Sequence, residues 1–339
     1  MKRSILAVAA ATAMGSAAFA ADLPSKKAPA PAPAASTDGF DLAFGVHVMS
    51  DYVSRGISQS AGQPSATAYV EPRYNIGDTQ LYIGIQPWRT NLATNPFGEV
   101  DLYGGVRQTW GKFSIDVGGI YYWYPNNNTQ YWTTGAAIPF ANGNTLVNPA
   151  TFAIAQAGAF AGSAPTTAKD PSYYELYFKP SYNITDAFTL GGSLFWSPNW
   201  GNYNSRVLGQ PGGGFQSLYF SALPKYTFGD SGFSISGELG YQALGSLKAG
   251  TVYNTGAVPF KYPSYWSWNL GVSYAWQNLT ADLRYYGSNL SNAQCYVVSS
   301  DPSGNRPGIG TFTGKSNWCG QRIMATLSLD FTYQKDWKH

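Results

Sequence analysis

The chain has 339 residues, of which 16% are aromatic and only 12% charged, against about a quarter charged in an ordinary soluble domain. Its formal net charge of +3 is too small for this length to suggest a nucleic-acid partner. Past the N-terminus no apolar run reaches the ~18 residues of a membrane-spanning helix, so the apolar residues must be placed by another periodicity.

Residues 1–20 have the features of a secretory signal: a basic start at Lys2 and Arg3, a short apolar core from Ile5 to Ala13, and small residues at Ala18 and Ala20. The core is too short for a membrane anchor, and cleavage is expected before Ala21. Residues 21–38 are rich in alanine and proline, extended and unable to bury a core, as suits a periplasmic tether.

From Phe40 the chain alternates. Phe40, Leu42, Phe44, Val46 and Val48 fall on one side, and Asp41, Ala43, Gly45, His47 and Met49 on the other. Period two predicts a strand with one apolar and one small or polar face. The same pattern predicts strands around 66–74, 81–86, 99–107, 113–123, 173–182, 188–196, 217–228, 233–242, 266–276, 279–285 and 322–333. The twelve strands are joined alternately by long and short connections. Short periplasmic turns, long outer loops and an even strand count predict an all-β, antiparallel transmembrane barrel over residues 39–334, with a short tail at 335–339. A soluble sandwich would also alternate, but it does not require such unequal loops. On the apolar face Tyr74, Trp110, Tyr182, Tyr226, Phe228, Trp276 and Tyr333 fall at the periplasmic end. Tyr52, Trp123, Trp196, Tyr241, Trp266 and Tyr285 fall at the outer end. Two aromatic belts around an aliphatic band suit two lipid–water interfaces.

The first strand runs into Ser50-Asp51-Tyr52-Val53-Ser54-Arg55-Gly56-Ile57-Ser58-Gln59-Ser60. This motif resembles the N-terminal signature of the TorF-like porins of Gram-negative outer membranes, a family labelled Gcw_chp. Asp101-Leu102-Tyr103-Gly104-Gly105 and Gly119-Ile120-Tyr121-Tyr122-Trp123-Tyr124-Pro125 are similar to its next two landmarks. The resemblance implies an outer-membrane porin-like barrel and brings no settled substrate. Strands of such barrels usually end the chain on an aromatic residue, whereas Tyr333 is followed here by six more residues.

The inner face decides function. It carries the acids Asp41, Asp51, Glu71, Glu99, Asp101, Asp116, Glu175, Glu238, Asp282 and Asp330 and the bases Arg73, Arg107, Lys179, Lys225, Arg284 and Arg322. Charges lining an aqueous pore set ion preference. The same charges, paired across strands, would hold a filled interior together. The excess of acids predicts a modest cation preference in a narrow lumen, since twelve strands lie between filled eight-stranded barrels and wide porins. In the first loop, Asp51 and Arg55 form a charged pair at the outer rim. Either Arg55 contacts solute or it folds back to fix the loop with Gly56 making the turn; the second is expected. Cys295 and Cys319, the only cysteines, fall in the last outer loop of an exported chain and are expected to be joined. Thr151 to Ala164 in the longest loop is apolar and is expected to fold into the lumen; the alternative is a contact between protomers of a homo-oligomer.

An enzyme is disfavoured. There are two histidines, His47 in a strand and His339 at the end of the chain. Neither a metal cluster nor a nucleophile motif accompanies them, and no cofactor is implied. The expectation is a channel for small hydrophilic solutes or ions in outer-membrane lipid; the alternative is a closed structural or adhesion barrel.

Overall fold

The structure is a computed structural model that describes residues 38–127, 131–133, 163–165, 170–204, 212–251, 259–301 and 315–337. The signal and tether therefore lie outside the described residues, as does nearly all of the apolar loop stretch at 151–164.

Twelve strands close into one antiparallel barrel. In chain order they are β1 Gly39–Met49, β2 Ser65–Ile76, β3 Thr79–Trp88, β4 Glu99–Trp110, β5 Phe113–Trp123 and β6 Tyr173–Asn183. The second half comprises β7 Phe188–Ser197, β8 Ser217–Thr227, β9 Phe233–Leu244, β10 Tyr265–Trp276, β11 Leu279–Ser288 and β12 Arg322–Thr332. Each strand pairs with its neighbours in sequence, and β1 closes on β12 in a register that sets Phe44 opposite Phe331 and Met49 opposite Thr326. The meander follows from the short turns: two residues between strands suffice for an antiparallel pair. Such turns stand at 77–78, 111–112 and 277–278, all at one end of the barrel.

Closure leaves no sheet edge, so every strand meets its backbone partners inside the barrel. The period-two pattern then sorts the side chains. Outward residues are apolar and exposed, as with Val46 at 53%, Ile83 at 67% and Leu283 at 59%. Most of the aromatic residues expected at the strand ends are exposed too, among them Trp110, Trp123, Trp266 and Trp276, and Trp196 and Tyr241 are half-buried. Tyr52 alone is fully buried. It follows the end of β1, where the alternation is lost, and it is buried inside the barrel.

Inner glycines make room for inward tyrosines. A Cβ on Gly84 would meet the Tyr103 ring, and one on Gly240 the Tyr219 ring, so the rings lie flat across the neighbouring strand. At the outer end the described loop segments 198–204, 212–216, 245–251, 259–264, 289–301 and 315–321 form a cap. Tyr203, Phe215, Leu247, Tyr262, Val298 and Trp318 pack there around Ile57. Helix α1 (Asn292–Ser299) starts on a capping box made by Ser291 and Gln294. The Cys295–Cys319 disulfide ties this helix to the base of β12. At the opposite end, helix α2 (Tyr333–Asp336) reverses the chain. It sets Trp337 against Phe44 and Phe331, with ring centroids 5.5 and 5.3 Å away.

Candidate functional site: the plugged lumen

The connection from β1 to β2 does not stand at the rim. Val53 and Ser54 pair with Ser58 and Ile57 as a two-residue hairpin. Arg55 and Gly56 at its tip both have positive φ, +46° and +78°. That is the backbone of a type I′ turn, whose twist matches paired strands. Gly56 also lacks room for a side chain: a Cβ there would stand 3.0 Å from the Gly287 carbonyl oxygen and 3.0 Å from the Ser267 Cβ. The tip is therefore seated against β10 and β11, inside the barrel.

Three sets of contacts hold the hairpin. At its base, Asp51 accepts from the Ser58 hydroxyl at 2.6 Å and the Ser60 hydroxyl at 2.7 Å, and it pairs with Arg322 of β12. Tyr52 stacks on Trp88 at 4.3 Å between centroids and donates its hydroxyl to Glu99 Oε1 at 2.6 Å. At the tip, Arg55 reaches across the lumen. Its Nη1 and Nη2 donate to Glu175 Oε1 and Oε2 at 3.0 and 2.7 Å, and Nη1 also donates to Gln242 Oε1 at 3.0 Å. The guanidinium lies over the Tyr219 and Phe195 rings at 4.5 and 4.9 Å. The expected Asp51–Arg55 pair is not formed: Asp51 is engaged with Arg322, and Arg55 bonds to the far wall. Arg55 does fix the first loop, but by bonding Glu175 and Gln242 across the lumen rather than by folding back on the rim.

Below the hairpin the inner charges form bonded groups. Glu71 accepts from Arg73 at 2.6 Å and from Arg107 at 2.9 Å, and Arg107 reaches on to Asp116 at 3.5 Å. Tyr82 donates to Asp116 at 2.5 Å and touches the Tyr177 hydroxyl, while Lys179 lies over the Tyr177 ring at 4.0 Å. Across the barrel, Arg284 pairs with Asp282 at 3.0 Å and donates to Asn269 at 2.7 Å. Asn269 in turn donates to Glu238, which also accepts from Tyr219. Lys225 stands in register between Thr189 and Ser236. His47 bonds Asp330 at 2.8 Å, stitching β1 to β12. Asp41 accepts from the Gln334 backbone at 2.9 Å.

Above the hairpin, a cavity of about 160 Å³ opens between it and the cap. Arg55, Glu99 and Gln242 line it, with Tyr124, Tyr173, Trp200, Tyr203 and Trp318 among the aromatic residues around them. In the cap, burial and then the nearby Asp301 push the Tyr296 hydroxyl's pKa up, so it stays protonated.

Residues 33–148 match the model of a family described as "Bacterial protein of unknown function (Gcw_chp)". No curated protein matches the chain. Among solved structures, the chain is similar to the Pseudomonas putida toluene transporter TodX, with 10% identity, 88% of this chain and 89% of that one covered, and a TM-score of 0.45. It is also similar to the COG4313 outer membrane channel from Pseudomonas putida F1, at 8% identity, 88% and 96% coverage and a TM-score of 0.45. A third is the KdgM porin in complex with oligogalacturonate, at 9% identity, 86% and 99% coverage and a TM-score of 0.38.

Proposed function

We propose that the protein is an outer-membrane channel of porin type, closed at rest by the hairpin at 53–58. It would pass small hydrophilic solutes or ions passively, with a modest preference for cations. The observation that carries this reading is Arg55. A bidentate ion pair drawn across a lumen, on a turn with two positive φ angles, is a specific latch where a plain filled core would need none. The apolar outer face supports placement in lipid, because so much exposed apolar surface is unfavourable in water. A Gram-negative outer membrane, export through a cleaved leader at 1–20 and kinship with the TorF-like porins belong to this reading. His47 serves it as a structural tie to Asp330 and not as a catalytic base.

A second reading, a closed structural barrel, is favoured by the extent of pairing among the inner charges. Single-channel recording separates the two. A channel conducts intermittently in the native form and more often once Arg55 is removed. A structural barrel conducts in neither.

A further inference from the structure

Among the described residues, two buried acids at the outer end of the lumen have no base. Glu99 and Asp101 share the inner face of β4, two residues apart. Among the described residues neither meets an arginine or lysine, while Asp51, Glu71, Asp116, Glu175 and Asp282 each have one. Their donors are neutral. Tyr52 and Tyr124 donate to Glu99, and Trp88 donates its indole N–H to Asp101 Oδ2 at 2.8 Å. Asp101 Oδ1 is left without a hydrogen bond in a side chain with no exposed surface. Two like charges so close in a dry setting repel strongly unless something lies between them.

A separate observation indicates what that is. Gln86 of β3 stands directly opposite Asp101 in the strand register, and it too is fully buried. Its Nε2 is held on the β2 side, donating to the Thr67 hydroxyl at 3.1 Å. The Thr67 hydroxyl itself donates to the Pro87 carbonyl, so it serves as the acceptor for this amide. The Gln86 Oε1 has no hydrogen-bond donor. An amide oxygen and a carboxylate oxygen, both buried and both lacking a donor, occupy facing positions on adjacent strands beside a second carboxylate.

We propose that Glu99, Asp101 and the Gln86 carbonyl oxygen form a binding site for a hard divalent cation of the calcium class. Such ions take six to eight oxygens and accept mixed sets of carboxylate, amide and water. Here the two carboxylates neutralise the charge, Gln86 adds a neutral oxygen, and water supplies the rest. The route in is the cavity above the hairpin, which Glu99 lines. The bound ion would also fix Glu99, the acceptor of the Tyr52 hydroxyl, and so hold the base of the hairpin against the wall. The site does not depend on the barrel conducting. The competing occupant is a proton shared between Asp101 and Gln86.

Terbium luminescence tests the proposal on the purified full-length protein in detergent, after chelator treatment. Trp88, Tyr52 and Tyr122 stand beside or opposite the two acids, so an ion bound there should show sensitised emission. The expected result is saturable emission at one ion per chain, displaced by calcium. Asp101→Asn and Glu99→Gln should each weaken binding at least tenfold, and Gln86→Glu, which adds a third carboxylate, should tighten it. The gain in Gln86→Glu keeps the test informative if a loss variant folds poorly. Absence of saturable emission, or wild-type affinity in folded Asp101→Asn and Glu99→Gln, overturns the proposal in favour of the shared proton or of adventitious ions elsewhere.

Discussion

Arg55→Ala is the perturbation with the largest expected effect. It removes the hydrogen bonds to Glu175 and Gln242 and the stacking over Tyr219 and Phe195. It leaves Glu175 fully buried, with the Tyr122 hydroxyl at 2.9 Å as its remaining bonded donor. Breaking a buried pair from one side costs about 3–5 kcal/mol, because the surviving charge is uncompensated. The barrel cannot relieve that cost, but the hairpin can: if it leaves, water reaches Glu175. A penalty near 3 kcal/mol then shifts the balance of docked and undocked hairpin by on the order of a hundredfold, since each 1.4 kcal/mol is tenfold. Undocking also releases Arg55 from its positive φ, worth about 1–2 kcal/mol in a non-glycine residue, so the native latch works against some strain. Planar-bilayer recording should find a clear rise in open probability. Glu175→Gln should give a smaller rise, and the double variant less than the sum, because the two residues act as a pair. Native open probability and conductance in a folded Arg55→Ala barrel would refute the latch.

Four further outcomes are expected. Gly56→Ala should destabilise the docked hairpin by about 2 kcal/mol, from a left-handed φ and the missing space beside Gly287, and should raise open probability as Arg55→Ala does; an unchanged record would place the tip elsewhere. Reducing Cys295–Cys319 removes a closure over 24 residues worth about 3 kcal/mol by loop entropy; α1 should then be cut faster by protease, and mass measurement with and without reductant should confirm the bond. Trp337→Ala removes stacking on both sides of the β1–β12 seam, about 1 kcal/mol per aromatic pair; denaturant unfolding in detergent should shift accordingly, and no shift would make the tail dispensable. The reversal potential under a potassium chloride gradient should favour potassium, more so in dilute salt where screening is weaker; a chloride preference contradicts the charge argument.

The barrel was legible because one physical constraint acts on every strand. A lipid-facing side must be apolar and an inner side need not be, so β10 spells out its faces as Trp266, Trp268, Leu270, Val272 and Tyr274 against Ser267, Asn269, Gly271 and Ser273. Loop lengths then separated an end with short turns from an end with long connections. The same reasoning fails one residue beyond a strand. Extending the phase of β1 past Met49 assigns Tyr52 to the outer belt, but from Ser50 onward no ladder enforces the alternation, and Tyr52 turns inward to Trp88 and Glu99. The partners of Arg55 were beyond sequence reasoning for a different reason: Glu175 and Gln242 lie 120 and 187 positions away, and only barrel closure brings them together. A local signal was nonetheless available. Val53-Ser54-Arg55-Gly56-Ile57-Ser58 places a residue and a glycine between two short β-prone pairs, the pattern of a two-residue hairpin.

Placing Arg55 inside the lumen also changes the charge argument. The inner acids were expected to exceed the bases by a diffuse margin. With Arg55 committed to Glu175 and Arg322 to Asp51, the acids at the outer end without a base among the described residues are Glu99 and Asp101. With no divalent ion bound, a cation preference would then arise mainly from one pair of carboxylates near the mouth, not from the average of the wall. The two ideas separate experimentally. If the preference is local, Glu99→Gln with Asp101→Asn should abolish most of it, while Asp330→Asn, lower in the barrel and bonded to His47, should leave it nearly intact. Equal losses from both would return the effect to the wall as a whole.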